Sequence, residues 1–261
     1  MQCNSQIIKN IKGLLVVDCA KPAQSLSPII DKINEAIMDK YLLITRFYNP
    51  DALSANNTDA TIATDSASRE SVEVSPMRVG VTAVCESCEG TLIKALQSKG
   101  SLSGFIIDNN GGLWGKKDDN GKLVPVTVKV ISVSLPNGLS VSGTNLPAVQ
   151  LTVDFGTINE VAEWRLIKVD GADSADDYLI PEVADLVIKK TTDLEYSLSL
   201  ADLLGNDITT NTSFESCFSC SDSGATWSNN TWTGTCVPFT LTQTKLVDGF
   251  MTAKETYVVN E

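Results

Sequence analysis

The chain has 261 residues, enough for one large domain or two modest ones, and its 43% apolar and 20% charged content is that of a globular protein. Twenty Lys and Arg against thirty-two Asp and Glu give a formal charge of −12, which disfavours broad binding to phosphate backbones. There is no histidine, so Ser-His-Asp, Cys-His and HExxH chemistry is excluded.

In chain order, the apolar run Ile11 to Asp18 predicts a buried strand. Ser27-Pro28 then supplies an N-cap and a first-turn proline. Ile29, Ile30, Ile33, Ala36, Ile37 and Tyr41 fall on one face of the helix that follows, opposite Asp31, Lys32, Glu35 and Asp39. Leu42 to Tyr48 predicts a second strand. The Ala/Ser/Thr/Asn/Asp-rich segment 49–75 reads as a loop too long for an ordinary connection, of the kind that another chain orders. Arg78 to Val84 predicts a strand and Cys88 to Ser98 a short helix.

From Gly104 the pattern becomes a meander. Phe105 to Asp108 meets Asn109-Asn110-Gly111-Gly112, and Leu113 to Lys116 meets Asp118-Asp119-Asn120-Gly121. Both turns carry residues that tolerate positive φ. Val124 to Leu135, Leu139 to Ser142, Gln150 to Phe155 and Trp164 to Val169 predict further strands. The acidic, small-residue run 170–177 reads as a linker, 185–204 mixes strand and helix signals, and 178–261 reads as a smaller, mostly β unit. The fold class expected is mainly β with some α. It has a sandwich- or barrel-like core over 1–169, one amphipathic N-terminal helix, a short second helix and the C-terminal unit.

Motifs for chemistry are sparse. Neither a GxGxxG after a strand, nor a phosphate-binding P-loop, nor a Gly-x-Ser-x-Gly elbow is present. The Asp/Asn-rich turns lack the downstream Glu of a calcium loop, and hairpin turns share their composition. Among seven cysteines, Cys85/Cys88 and Cys217/Cys220 have C-x-x-C spacing and form a four-cysteine zinc candidate, but the pairs lie far apart in sequence; redox pairs and buried thiols are the other readings. Trp227 and Trp232 are candidate sugar platforms, against the plainer reading of a small β core. Met1 to Ser5 lacks the basic and apolar pattern of a secretory signal and no segment reaches membrane-span length. Synthesis in the cytoplasm and no membrane partner are therefore expected, and the sequons at Asn56, Asn211 and Asn229 read as polar loop residues.

An early Cys, a strand and an N-terminal helix precede "GFIIDNNGGLWGKKDDNGKLVPVTVKV" and "GLSVSGTNLPAVQLTVDF". This arrangement resembles the tail-tube and related virion structural proteins of phages that infect Bacteroidetes, over roughly Met1 to Val169. Its signature is the hairpin from Ile106 to Gly115, with Asp108, Asn110, Gly111, Trp114 and Gly115. The resemblance implies a non-enzymatic virion component without a cofactor, most specifically a tail-tube subunit. Copies would stack as sixfold rings around passing DNA, contact other virion proteins, and join through an assembly loop containing Asn49, Asp51, Asn56, Asp59, Asp65 and Ser75. A tail terminator or connector, a capsid decoration protein and a glycan-binding β-module are the alternatives.

Overall fold

The structure, a computed structural model, describes residues 11–17, 26–47, 54–55, 59, 61–64, 71–75, 77–85, 101–134, 149–202, 204–210, 214–254 and 256–260. The helix predicted over 88–98, the strand predicted over 139–142, and Cys88, Asn49, Asp51, Asn56, Asp65 and Asn211 lie outside these residues. The chain is mostly β. It forms two compact units, one from residues 1–34 and 42–178, the other from 35–41 and 179–261.

The first unit contains β1 (Ile11–Val17), the start of α1 (Ile30–Met38), β2 (Leu42–Arg46), β3 (Ser54–Ala55), β4 (Thr61–Thr64), β5 (Ser71–Ser75), β6 (Arg78–Cys85), β7 (Ser101–Asp108), β8 (Leu113–Lys117), β9 (Leu123–Val124), β10 (Val126–Ser134), β11 (Val149–Thr157), α2 (Ile158–Ala162) and β12 (Arg165–Ile167). Ten strands make one antiparallel sheet in the order β12-β8-β7-β10-β11-β6-β3, with β1 also on β7, β2 on β1 and β9 on β8. Residue alternation explains the pleat: Val126, Val128 and Val130 of β10 and Leu151, Val153 and Phe155 of β11 are buried. In β1, Leu14, Leu15 and Val16 are all buried in succession, so this strand is covered on both faces.

Segment 49–75 is not a featureless loop. β3 pairs with β6, and β4 and β5 form their own antiparallel hairpin, because Thr61, Ile62, Thr64, Val72 and Val74 give β-branched runs within a small, polar composition. Asp59 and Ile62 are exposed.

Run 170–177 is anchored rather than a linker. Ile29 pairs with Asp170, and the Ile30 amide donates to the Asp170 carbonyl at 3.0 Å. Ala172, Ala175 and Tyr178 are buried. Ser174 and Asp177 make a capping box on the single helical turn Ala175–Asp177, Arg46 pairs with Asp176 at 3.1 Å, and the Tyr178 hydroxyl donates to the Gly111 carbonyl at 2.7 Å. Acidic and small residues serve capping turns as readily as linkers, which is why composition alone points the wrong way. The backbone pairing with Asp170 also leaves Ile29 exposed, although Ile30, Ile33, Ala36 and Ile37 are buried as the helical period requires.

The second unit takes the end of α1 and adds β13 (Glu182–Thr192), β14 (Glu195–Ala201), β15 (Phe218–Cys220), β16 (Thr226–Ser228), β17 (Thr231–Thr233), β18 (Phe239–Gln243), β19 (Phe250–Thr252) and β20 (Thr256–Val259). A five-stranded sheet, β16-β17-β14-β13-β19, and a three-stranded sheet, β15-β18-β20, contribute to one core around Trp232, Tyr196, Phe239 and Phe214. The mixed signals over 185–204 resolve into the β13–β14 hairpin, since Ala184 and Leu186, then Tyr196, Leu198 and Leu200, are buried with a period of two. The helix end is closed by Lys40 at φ 52°, with Lys40 N–H bonded to Ile37 O and Tyr41 N–H to Ala36 O.

Candidate functional site

The signature hairpin joins β7 to β8. Its turn is built by Asp108, whose buried side chain accepts from the Asn110 amide at 3.0 Å, and by Gly111 at φ +75°. A Cβ on Gly111 would meet the Ser174 carbonyl at 2.9 Å, so glycine is required both for conformation and for approach. Gly115 passes against the Phe105 ring, and Trp114 is half-buried against the first core with its indole N–H unpaired. These residues hold the turn and the edge of the sheet.

At that edge lies the most distinctive surface among the described residues. β12 ends the ten-stranded sheet and, among the described residues, pairs only with β8, matching Arg165 to Gly115, Leu166 to Trp114 and Ile167 to Leu113. The pairing gathers residues about fifty positions apart into an open cleft of about 480 Å³ lined by Lys116, Lys117, Glu163, Arg165, Leu166, Ile167 and Lys168. Four of the seven are cations. Lys116 is bonded to Glu163, and this ammonium holds the Glu163 carboxyl below the usual carboxylate range. Lys117 and Lys168 are exposed and form no ion pair among the described residues. Leu166 is 49% exposed and lies next to Gly112, while its neighbour Ile167 is buried.

The corner that presents this cleft is rigidly seated. Thr157 caps α2: the Glu160 amide donates to the Thr157 hydroxyl, and the Thr157 amide donates to the Glu160 carboxylate at 2.6 Å. Val161 and Trp164 are buried, the latter edge-on to Phe155 with ring centres 5.9 Å apart. Arg165 closes the far end by donating to the carbonyls of Ala162 and Trp164 at 2.9 and 2.8 Å.

The remaining candidates are dispersed. Cys85 ends β6, Cys217 is buried, Cys220 is half-buried and Cys236 is exposed; the last three are free thiols. Cys217 donates to the Leu246 carbonyl, and burial pushes its thiol pKa up, which disfavours the reactive thiolate. No group of three or more His, Cys, Asp or Glu suited to a metal occurs among the described residues. Trp232 is fully buried, stacked on Phe239 with centroids 3.7 Å apart, and so has no face to offer a sugar. Trp227, its cross-strand neighbour, is half-buried beside a depression of about 90 Å³ lined by Phe214, Glu215, Ser228, Asn229 and Asn230. No described helix is long and apolar enough to cross a membrane.

The cationic β8–β12 cleft was not singled out from sequence, because its four cations occupy two short stretches, Lys116-Lys117 and Arg165 to Lys168, that are unremarkable until the strands pair. No family model, no curated protein and no solved structure matches the chain.

Proposed function

We propose that this chain is a structural subunit of a bacteriophage virion, most specifically a tail-tube subunit whose copies join into stacked rings around passing DNA. The observation that carries the reading is the end of the large sheet. Strand β12 has no partner on its outer edge among the described residues, and it carries an exposed leucine and a cation-lined cleft, all on a corner fixed by capping and packing. Sheet edges of this kind are where subunits join, and a contact between two different surfaces of one chain propagates into rings or filaments. The hairpin pattern over Ile106 to Gly115, which carries the resemblance to tail-tube proteins, supports it from sequence. In this reading the first unit is the sandwich- or barrel-like tube core, the segment 49–75 reaches a neighbouring subunit, and carboxylates rather than lysines face the lumen. An acidic lumen lets DNA pass without holding it.

Electron microscopy and sedimentation of the purified full chain over a wide concentration range test this. Rings or tubes are expected, and a species that stays monomeric at the highest concentration overturns the reading.

A further inference from the structure

Charge is divided unevenly between the two units. The second unit carries thirteen Asp or Glu against five Lys or Arg, and between Lys190 and Lys245 there are six carboxylates and no cation at all. Three of those carboxylates, Asp193, Asp207 and Glu215, are exposed, Asp193 lying 3.8 Å from Lys190. The first unit, by contrast, concentrates Lys116, Lys117, Arg165 and Lys168 in one cleft, and the one carboxylate lining it among the described residues, Glu163, is already bonded to Lys116.

We infer that the β8–β12 cleft is a docking site for a second copy of this chain, and that it receives the acidic surface of that copy's second unit. The inference rests on the assembly reading above and names the contact that would build it. Three observations point to this occupant. Lys117 and Lys168, which form no ion pair among the described residues, line the cleft together with the exposed Leu166, so it combines apolar area with uncompensated positive charge, as protein contacts do. The surface of opposite sign is supplied by the same chain, so no foreign partner is needed. Cleft and exposed carboxylates belong to different units, so the contact joins two different surfaces of the chain. The contact is heterologous and continues from copy to copy until a ring closes. The cleft's charges steer encounter and fix which surface meets which, while Leu166 supplies apolar area.

The test is a charge swap in the full chain, read by sedimentation velocity. K117E/K168E alters two cations outside the capping and packing contacts of the corner, and circular dichroism and the unfolding temperature check that it folds. Its self-association is expected to be at least about tenfold weaker than that of the parent. D193K/E215K, reversed on the other surface, is expected to show a similar loss. An equimolar mixture of the two is expected to recover association, because each cleft again faces the opposite sign. For the parent, association should weaken as salt rises from about 50 to about 500 mM. If the parent assembles and folded K117E/K168E assembles equally well, the cleft is not the contact, although the assembly reading stands. Loss in both variants without recovery in the mixture overturns the pairing of cleft with second unit. A parent that never assembles overturns the assembly reading and this inference together.

Discussion

At the scale of single residues, the second unit is organised around contacts that tolerate little change. Gly234 lies against the indole of Trp232 so closely that a methyl group at its Cα would fall within the ring. Trp232 in turn is held between Phe239 and Tyr196 and has no room to retreat. Gly234→Ala is therefore expected to destabilise the chain by roughly 3 kcal/mol through overpacking, measurable as a lower denaturant midpoint. Asp222 has a different role, tying two loops together by accepting from the amides of Thr235 at 2.6 Å, Gly224 at 3.0 Å and Cys236 at 3.3 Å and from the Thr235 hydroxyl. The Thr235 amide above all favours the charged carboxylate, so its pKa lies below the usual range. A depressed carboxyl pKa stabilises the fold fully above the unfolded value, near pH 4, and the contribution disappears as pH falls through the folded value. Thermal unfolding followed from about pH 6 to about pH 2.5 should show the midpoint dropping below pH 4. Asp222→Asn should begin lower and fall less steeply, and an unchanged slope would rule out this carboxylate as a contributor.

At the scale of elements, what the sequence makes legible depends on how local the signal is. Strands β1, β6, β10 and β11 follow from apolar runs and alternation, and the β7–β8 turn from Gly111 at the position where positive φ is needed, beside the polar residues that favour turns. Helix α2 is present in the sequence as Thr157 followed three residues later by Glu160, but with five residues it is too short for a helical period to stand out from the end of β11. The hairpin β4–β5 escapes notice because Ala, Ser and Asp dilute its β-branched residues. The cationic cleft is illegible for a deeper reason. It exists only through the antiparallel register that sets Arg165 opposite Gly115, and single-segment patterns carry no information about such non-local pairing. The α2 corner yields its own prediction. Removing the cap with Thr157→Ala is expected to cost about 1 kcal/mol and, by loosening the seat of β12, to raise amide exchange in Arg165 to Ile167. Unchanged exchange there would mean that Val161 and Trp164 alone hold the corner.

At the scale of the whole molecule, a chain without histidine holds its charge almost constant where most proteins change theirs. Between about pH 5.5 and about pH 7.5 no side chain has its ordinary pKa, so the formal −12 should vary by only about two units, visible as a nearly flat electrophoretic mobility. Any self-association governed by that charge should be equally flat across this interval and change only as carboxylates protonate below it. A marked pH dependence near neutrality would require a strongly shifted group. The division into units has a further consequence, concerning the order in which the chain is made. The second unit is discontinuous: residues 35–41 belong with 179–261, through the Leu246 amide on the Met38 carbonyl, the Lys40 ammonium on the Gln243 carbonyl and the Asp39–Lys245 pair at 2.8 Å. During synthesis the end of α1 emerges well over a hundred residues before the strands that it serves, so the second unit completes its fold only after nearly all of the first has left the ribosome. A fragment cut after the acidic run 170–177, the boundary that composition invites, leaves that helix end behind, and the Gln243 carbonyl and the Leu246 amide lose their counterparts.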